Sequence, residues 1–284
     1  MRPALEMQLQ PIDCPLCCLK DSSPWARENG YVAVKCNSCG LVYVNPRPPL
    51  NTISEASRTG VHTTGTAELT VTFSRSKKKI QHYSKIVRKM FAAEIAGGKP
   101  IRWLDIGAGY GEFVEAVLLT MPPGSKVCGI EPMKAKVASA KARGLPIADE
   151  PLSQIEEQFD VISLINVFSH IPDFSAFLLE VAERCAPGGI LFLETGNGGD
   201  IERSQYPDDL YLPDHLVFAG KKHIEMFLNK AGFRTVTSEE QRIDSASSLA
   251  KHAIKSLLKG RPDQAISRLS PFRTVFFKAQ RGEK

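Results

Sequence analysis

The chain has 284 residues, nearly twice the usual domain length of about 150, so it holds one large domain or a main domain with a small appendage. Hydrophobic residues make up 43% and charged residues 24%, with 21 Gly and 19 Pro, which excludes collagenous, low-complexity and wholly disordered chains. The formal charge of +5 is mild, no apolar run nears the roughly 18 residues that span a bilayer, and residues 1–11 lack a signal-peptide core, so a soluble cytoplasmic protein is expected.

Seven cysteines in a reducing compartment are read as thiols or metal ligands before disulfides. Cys14 and Cys17 form one C-x-x-C, Cys36 and Cys39 a second, and the eighteen residues between them fall in the range of four-thiolate zinc sites. Pro15 and Gly40 suit the tight knuckles such sites need, and residues 31–34 alternate as a ribbon strand. The competing readings are a redox pair and two coincidental core dipeptides. With four protein ligands the expected Zn2+ has no open position and is structural. Cys18, Cys128 and Cys185 read as small buried apolar residues.

Residues 45–49 (NPRPP) continue neither strand nor helix, and residues 51–72 are rich in Ser, Thr and Gly with little periodicity. The chain thus divides into a zinc ribbon at 1–48, a linker or lid at 49–74 and a main domain at 75–284. Residues 75–95 place Ile80, Tyr83, Val87, Met90, Phe91 and Ile95 at helical spacing, predicting one amphipathic helix with a basic outer face. That face is either simply solvated or a contact for a phosphorylated substrate or RNA. Against the RNA option, residues 105–250 carry twelve Lys or Arg and twenty-two Asp or Glu, an acidic middle that repels a long polyanion. A small-molecule partner is expected ahead of nucleic acid.

The next segment carries the chemistry. Residues 101–106 (IRWLDI) predict a buried strand, Gly107, Ala108, Gly109, Tyr110 and Gly111 a glycine-rich turn, and residues 112–119 the start of a helix. Glycines are needed where a turn is tight and a ligand approaches the backbone. The pattern D-x-G-x-G-x-G differs from the dinucleotide fingerprint: Asp105 precedes it and no phosphate-binding Lys follows. An acid there suits a ligand carrying an ammonium, as S-adenosylmethionine (SAM) does. A second strand, residues 126–130, ends at Glu131, where a doubly wound fold places the acid that takes a ribose diol. Asp149, after residues 144–147, is either an acceptor for the adenine amino group or a mere loop acid. Residues 159–165 form a fourth strand with Asn166 and His170 at its exit, and residues 190–194 a fifth. The alternation predicts an α/β doubly wound sheet with its ligand at the carboxyl ends of the strands.

Residues 103–113 (WLDIGAGYGEF), 127–131 (VCGIE), 159–173 (FDVISLINVFSHIPD) and 186–194 (APGGILFLE) resemble the successive motifs of class I SAM-dependent methyltransferases. The ribbon ending CNSCGLVYVNPRP and the later YLPDHLVFAGKKHIEMFLNKAGF are similar to the bacterial group that includes sugar-nucleotide C-methyltransferases. The resemblance implies a Rossmann-like, mostly parallel seven-stranded sheet in the order 3-2-1-4-5-7-6. It places the loop residues at Asp105, Gly107, Gly109 and Gly111, the ribose acid at Glu131, and an aromatic-acid-histidine cluster at Tyr211, Asp214 and His215. The sequence departs from the group at Ser169-His170 and Gly196-Asn197. Residues 234–238 and 272–277 are expected to be strands six and seven, with a helix over 247–258 between them.

The expected activity is transfer of a methyl group from SAM to a small-molecule acceptor, a sugar nucleotide or a natural-product intermediate. The alternatives are an RNA methyltransferase with a zinc ribbon and a SAM-binding module without turnover. His215 is the first candidate base, its tautomer held by Asp214 or another carboxylate, with a surface or capping histidine as the competing reading. His170 is the second candidate, and Tyr211 and Tyr206 either wall the substrate or pack.

Overall fold

The computed structural model describes residues 8–63, 68–70, 74–206, 209–242 and 271–283; the helix expected over 247–258 lies outside them. Period-two alternation builds the first sheet: β1 (Ser22–Glu28), β2 (Tyr31–Cys36) and β3 (Val42–Val44), joined antiparallel. Asn29 and Gly30, at φ 53° and 84°, turn the first hairpin as an Asn-Gly pair does in the type whose twist matches the strands.

The stretch read as an aperiodic linker contains a helix, α1 (Leu50–Thr59), then a short hairpin of β4 (Val61–Thr63) and β5 (Glu68–Thr70). Only Ala56 of α1 is buried, so no apolar stripe announces it. Gly60, at φ 72°, ends it by donating its N–H to Ala56 O.

The basic segment is two helices rather than the expected one: α2 (Lys77–Met90) and α3 (Ala92–Gly97), broken at Phe91. Phe91 turns its ring inward to Trp103 and Phe192, with centroids 4.6 and 5.2 Å away. Lys278 reaches the break, donating to Met90 O at 2.9 Å and pairing with Glu94 at 2.6 Å. A carbonyl released at a helix end thus receives a cation. α2 buries Ile80, Tyr83, Ile86, Val87 and Met90 and leaves its lysines in solvent.

The rest of the chain alternates: β6 (Arg102–Ile106), α4 (Glu112–Leu118), β7 (Lys126–Ile130), α5 (Lys134–Lys141), β8 (Ile147–Ala148), β9 (Phe159–Ile165), α6 (Phe174–Arg184) and β10 (Cys185–Gly196). Then come β11 (Val217–Phe218), α7 (Lys221–Lys230), β12 (Phe233–Gln241) and β13 (Thr274–Arg281). The central sheet runs β8-β7-β6-β9-β10-β13-β12, parallel except where β13 is inserted. Counting its seven strands in chain order, this is the 3-2-1-4-5-7-6 arrangement the resemblance implies. β6, β9 and β10 read as continuous apolar runs because helices cover both faces. Among the described residues no helix is long and apolar enough to cross a membrane.

The cysteine-bearing sheet takes its fourth strand from the main domain: β11 pairs antiparallel with β3. The Glu28 carboxylate accepts the N–H of Leu210 at 2.7 Å and of Leu212 at 3.2 Å, and Asn29 Nδ2 donates to Leu212 O at 2.8 Å. Residues 209–218 are therefore held from the ribbon side. Replacing Glu28 by Ala leaves two backbone donors without their acceptor and is expected to cost about 2 kcal/mol, about 5 °C in thermal midpoint for a chain of this size. Glu28→Gln, which keeps an acceptor oxygen, should lose less than half of that; scanning calorimetry of both variants checks the order.

Candidate active site

The parallel strands of the central sheet end on one edge, and β6, β7, β8, β9 and β10 each contribute a loop to it. After β6, the N–H groups of Gly107 and Ala108 both donate to Ile130 O, at 2.8 and 3.0 Å, closing the turn against β7. Gly107, Gly109 and Gly111 have φ of 74°, 57° and 86°, a region L side chains rarely enter. Their reasons differ. A Cβ on Gly107 would stand 2.5 Å from Val167 Cγ2, and one on Gly111 2.6 Å from Leu145 Cδ1, whereas one on Gly109 would meet nothing within 4 Å. Two glycines serve packing, and the middle one faces open space.

That open space lies beside Glu131. Its Oε2 accepts the Gly109 N–H at 2.9 Å, its Oε1 the Met133 N–H at 3.1 Å, and Lys136 stands 3.7 Å away. Each carboxylate oxygen has two lone-pair sites, so two backbone donors leave capacity for a vicinal diol. Asp149 is exposed just beyond β8, on the same edge.

Asp105 is buried at the end of β6. Its Oδ1 accepts from Ser163 Oγ at 2.6 Å, and that hydroxyl accepts from Trp103 Nε1 at 2.9 Å. Burial pushes its carboxyl up to about 8 against the lowering effect of Ser163, with Glu131 and Glu194 adding to the rise. Glu194, at the end of β10, was given no role on sequence grounds. Burial lifts it to about 7, against the lowering pull of Tyr83 and Asn166, and its Oε2 finds no hydrogen-bond partner among the described residues. The signal in the sequence is a single acid closing an otherwise apolar strand. Asn166 itself sits at φ 56° with its N–H on Glu194 O, joining the exits of β9 and β10. Two buried carboxyls with few partners at one sheet edge, Asp105 and Glu194, are suited to a cationic ligand.

In the ribbon, Cys14 and Cys39 bring their sulfurs to 3.5 Å, Cys17 and Cys36 likewise, and all four lie within 4.8 Å of one another. None is disulfide-bonded. A tetrahedron with metal–sulfur bonds of about 2.3 Å has edges of about 3.8 Å, so the donor set fits Zn2+. His223, buried on α7, accepts the Gly220 N–H at Nδ1 and donates Nε2–H to Cys39 O at 2.8 Å, tying one knuckle to the main domain.

The loop before β11 carries the remaining candidates, and their pairing differs from the sequence expectation. Asp214, expected to orient its neighbour His215, instead presents Oδ1 to His170 Nδ1 at 3.1 Å and to His62 Nε2 at 3.1 Å. Adjacent residues on a turn point apart, and the carboxylate finds its partners across the fold. Burial raises the Asp214 carboxyl, but bonds from His170 and His62 outweigh this and hold it far below the usual carboxylate range. Burial lowers the His170 imidazolium, but Asp214 more than restores it and the net shift is upward. His215 is pushed down to about 4, by burial first and then by the charge of His170. Its ring packs between His170, Tyr211 and Phe218, with centroids 4.9, 6.1 and 6.0 Å away. Tyr211 is exposed, at φ 57°, while Tyr206 packs on Phe218 and Phe272. A shallow, open cleft lies over the cluster, lined by Tyr31, Ile53, Ala56, His62, His170 and Asp214 among others; His215 and Tyr211 do not line it.

Residues 77–238 match a family profile described as a methyltransferase domain. A ubiquinone biosynthesis O-methyltransferase of Rhizobium etli is 32% identical over 106 residues, 34% of this chain and 42% of that protein. One from Pseudomonas syringae pv. tomato is 31% identical over 115 residues, 37% of this chain and 47% of its own. The chain thus spans less than half the length of the curated relatives it matches. Among solved structures, the cyclase SpnF aligns with a TM-score of 0.50 and 17% identity, covering 71% of this chain and 82% of its own. Coclaurine N-methyltransferase bound to N-methylheliamine and SAH gives 0.50 and 13%, covering 74% and 76%. At these identities the structural likeness speaks for the fold.

The buried acids set a pH dependence. Unfolded, Asp105 releases its proton near pH 3.9, and folded near 8, so over that interval unfolding releases a proton and stability falls as pH rises, by up to about 1.4 kcal/mol per unit. His215 acts oppositely between about 4 and 6.5, where the unfolded chain takes up the extra proton. Above pH 6.5 His215 no longer opposes the decline, to which Glu194 and His170, both raised, add their share. Asp105→Asn keeps an acceptor for Ser163 and is expected to make the slope shallower; melts of both proteins from pH 6.5 to 8.5 with equal slopes would sink the assignment.

Proposed function

This chain belongs to the methyltransferase-domain family, and on that premise we propose that it binds SAM on the carboxyl edge of the sheet and methylates a small molecule held in the cleft over His170 and Asp214. The observation that carries the reading is the unfilled space over Gly109 beside a Glu131 carboxylate with spare acceptor capacity. SAM, when bound, supplies an activated methyl group and a neutral sulfide leaving group. Glu131 takes the ribose diol, Gly109 lets the adenosyl group approach the backbone, and Asp149 is placed for the adenine amino group. Asp105 and Glu194 meet the positive charge of the ligand's amino acid portion, and Asn166 fixes the turn between them. Gly107, Ala108 and Gly111 shape the loop.

His170 is the better-placed base. Asp214 fixes its Nδ1 side, which leaves Nε2 to receive the acceptor's proton, and the residue lines the cleft. His215, whose conjugate acid is too strong for efficient proton abstraction near neutrality, shapes the cluster beside it. Tyr211 is exposed at its rim. Zn2+ held by Cys14, Cys17, Cys36 and Cys39 keeps the ribbon folded and has no part in the chemistry.

Sugar nucleotides and natural-product intermediates are the acceptor class the ribbon and loop sequences favour; the relatives' names add an oxygen acceptor to the possibilities. Incubation of zinc-loaded protein with methyl-labelled SAM and separate pools of nucleotide sugars, small metabolites and total RNA is expected to label a small-molecule pool. Label confined to RNA overturns the acceptor class, and label nowhere, with SAH binding intact by calorimetry, overturns turnover. Gly109→Ala should keep the fold apart from a left-handed-backbone cost of about 1–2 kcal/mol and weaken SAH binding at least tenfold. His170→Ala should lower kcat about a hundredfold or more, well beyond His215→Ala, with the acid limb of kcat/KM above the ordinary imidazole value.

A further inference from the structure

His62 belongs to neither the glycine-loop edge nor the loop before β11. It sits on β4, in the segment connecting the ribbon to the main domain, and is 8% exposed. Buried imidazoles need partners, and this one has a specific one: Nε2 lies 3.1 Å from Asp214 Oδ1, the same oxygen that His170 Nδ1 approaches at 3.1 Å. One carboxylate oxygen thus receives two imidazoles. Both contacts are hydrogen bonds only when His62 carries its proton on Nε2 and His170 on Nδ1, which fixes both tautomers. The backbone beside His62 is pinned as well: Tyr31 Oη donates to Thr63 O at 2.7 Å, and His62 pairs with Leu69 across the β4–β5 hairpin.

We propose that His62 is a positioning residue for the His170 base, acting through Asp214. The inference rests on the methyl-transfer reading and deepens it. A carboxylate held by a single imidazole can swing about its side-chain torsions; held by two it is locked, and so is the ring it orients. The segment that carries His62 also lines the cleft through Ile53 and Ala56 of α1. Assembly of the base is thereby coupled to the seating of that segment over the acceptor. The charged and titratable groups around the cluster are Asp214, His170, His215 and His62 themselves, with Tyr31 on the ribbon side and Lys136 acting on His170 through its charge.

The test compares His62→Gln, whose amide nitrogen reaches where Nε2 stands, with His62→Phe, which fills the space and donates nothing. Long-range 1H–15N correlation spectra of the zinc-loaded chain report imidazole tautomers directly and require no acceptor. In wild type His62 is expected as the Nε2–H tautomer and His170 as Nδ1–H. The Asp214 backbone carbonyl, 3.0 Å from His170 Nδ1, also accepts from it, so in His62→Phe the His170 ring should keep its Nδ1–H tautomer while its titration falls toward the ordinary imidazole value, and His62→Gln should restore the titration. His223, occupied by Gly220 and Cys39, should be unchanged throughout as an internal control. An Nδ1–H tautomer at His62, a His170 titration indifferent to His62→Phe, or a His62→Gln variant that behaves as the Phe variant would each overturn the proposal. So would a second cadmium resonance, outside the four-thiolate region, in cadmium-substituted wild type, because it would make the cluster a metal site. With the pool that takes label as acceptor, His62→Phe should lower kcat about tenfold with KM for SAM unchanged, and His62→Gln should recover most of the loss. If no pool takes label, the methyl-transfer reading fails on its own while the spectra still decide whether His62 governs His170.

Discussion

The pairing of β3 with β11 governs the acceptor side of this molecule. Two residues of the main domain complete a sheet whose other three strands surround the cysteine cluster, so the loop running into β11 inherits its position from the ribbon. Glu28 and Asn29 repeat the constraint two turns earlier at Leu210 and Leu212, and His223 repeats it at Cys39. Short antiparallel contacts of two residues are weak alone; here each is backed by side-chain bonds to backbone groups that would otherwise be buried without partners. A four-cysteine cluster far away in sequence therefore helps to set where Asp214 stands.

Four buried or half-buried acids then divide the site into two electrostatic halves. On the cofactor edge, Asp105 and Glu194 have hydroxyl or amide neighbours and no formal cation among their causes of shift strong enough to offset burial, so their protons are held toward neutral pH. Glu131 is instead satisfied by two backbone donors and Lys136. On the acceptor side, Asp214 gathers two imidazoles and stays ionised. A cation is welcome in the first half, where it relieves like-charge repulsion, and a proton-accepting imidazole is stabilised in the second. The proposed direction of methyl transfer, from a positive donor toward a nucleophile losing its proton, follows that gradient.

Much of the fold was legible because strands buried on both faces write themselves as unbroken apolar runs. WLDI, FDVISLI and ILFLE needed no partner information, and the left-handed glycines between them marked the loop. What escaped is what long-range contact decides. α1 has a single buried residue and so no stripe. The break at Phe91 depends on Lys278, almost two hundred positions away. β11 is two residues long and exists only because β3 is there to receive it. In the site, the cysteines and the glycine loop were readable from spacing because their ligand atoms come from adjacent turns. The partners of Asp214 were hidden for the opposite reason: Asp214 and His215 are neighbours in sequence, neighbours on a turn diverge, and the carboxylate meets His62 and His170 instead.

The same distinction separates what the sheet determines from what the loops determine. The carboxyl edge with its glycine turn and Glu131 is a property of β6 and β7, held at a fixed 4.7–4.9 Å strand spacing that leaves little freedom. The cleft over His170 is assembled from five separate pieces: the ribbon, α1, β4, the exit of β9 and the loop before β11. A change in any one of them reshapes the cleft without touching the cofactor edge, so this half can be altered without refolding the sheet. His62 and Asp214 belong to different pieces, and their meeting point is where those pieces must agree before a nucleophile can be held against the His170 imidazole. The acceptor is therefore specified by the agreement of loops, and the donor by the sheet.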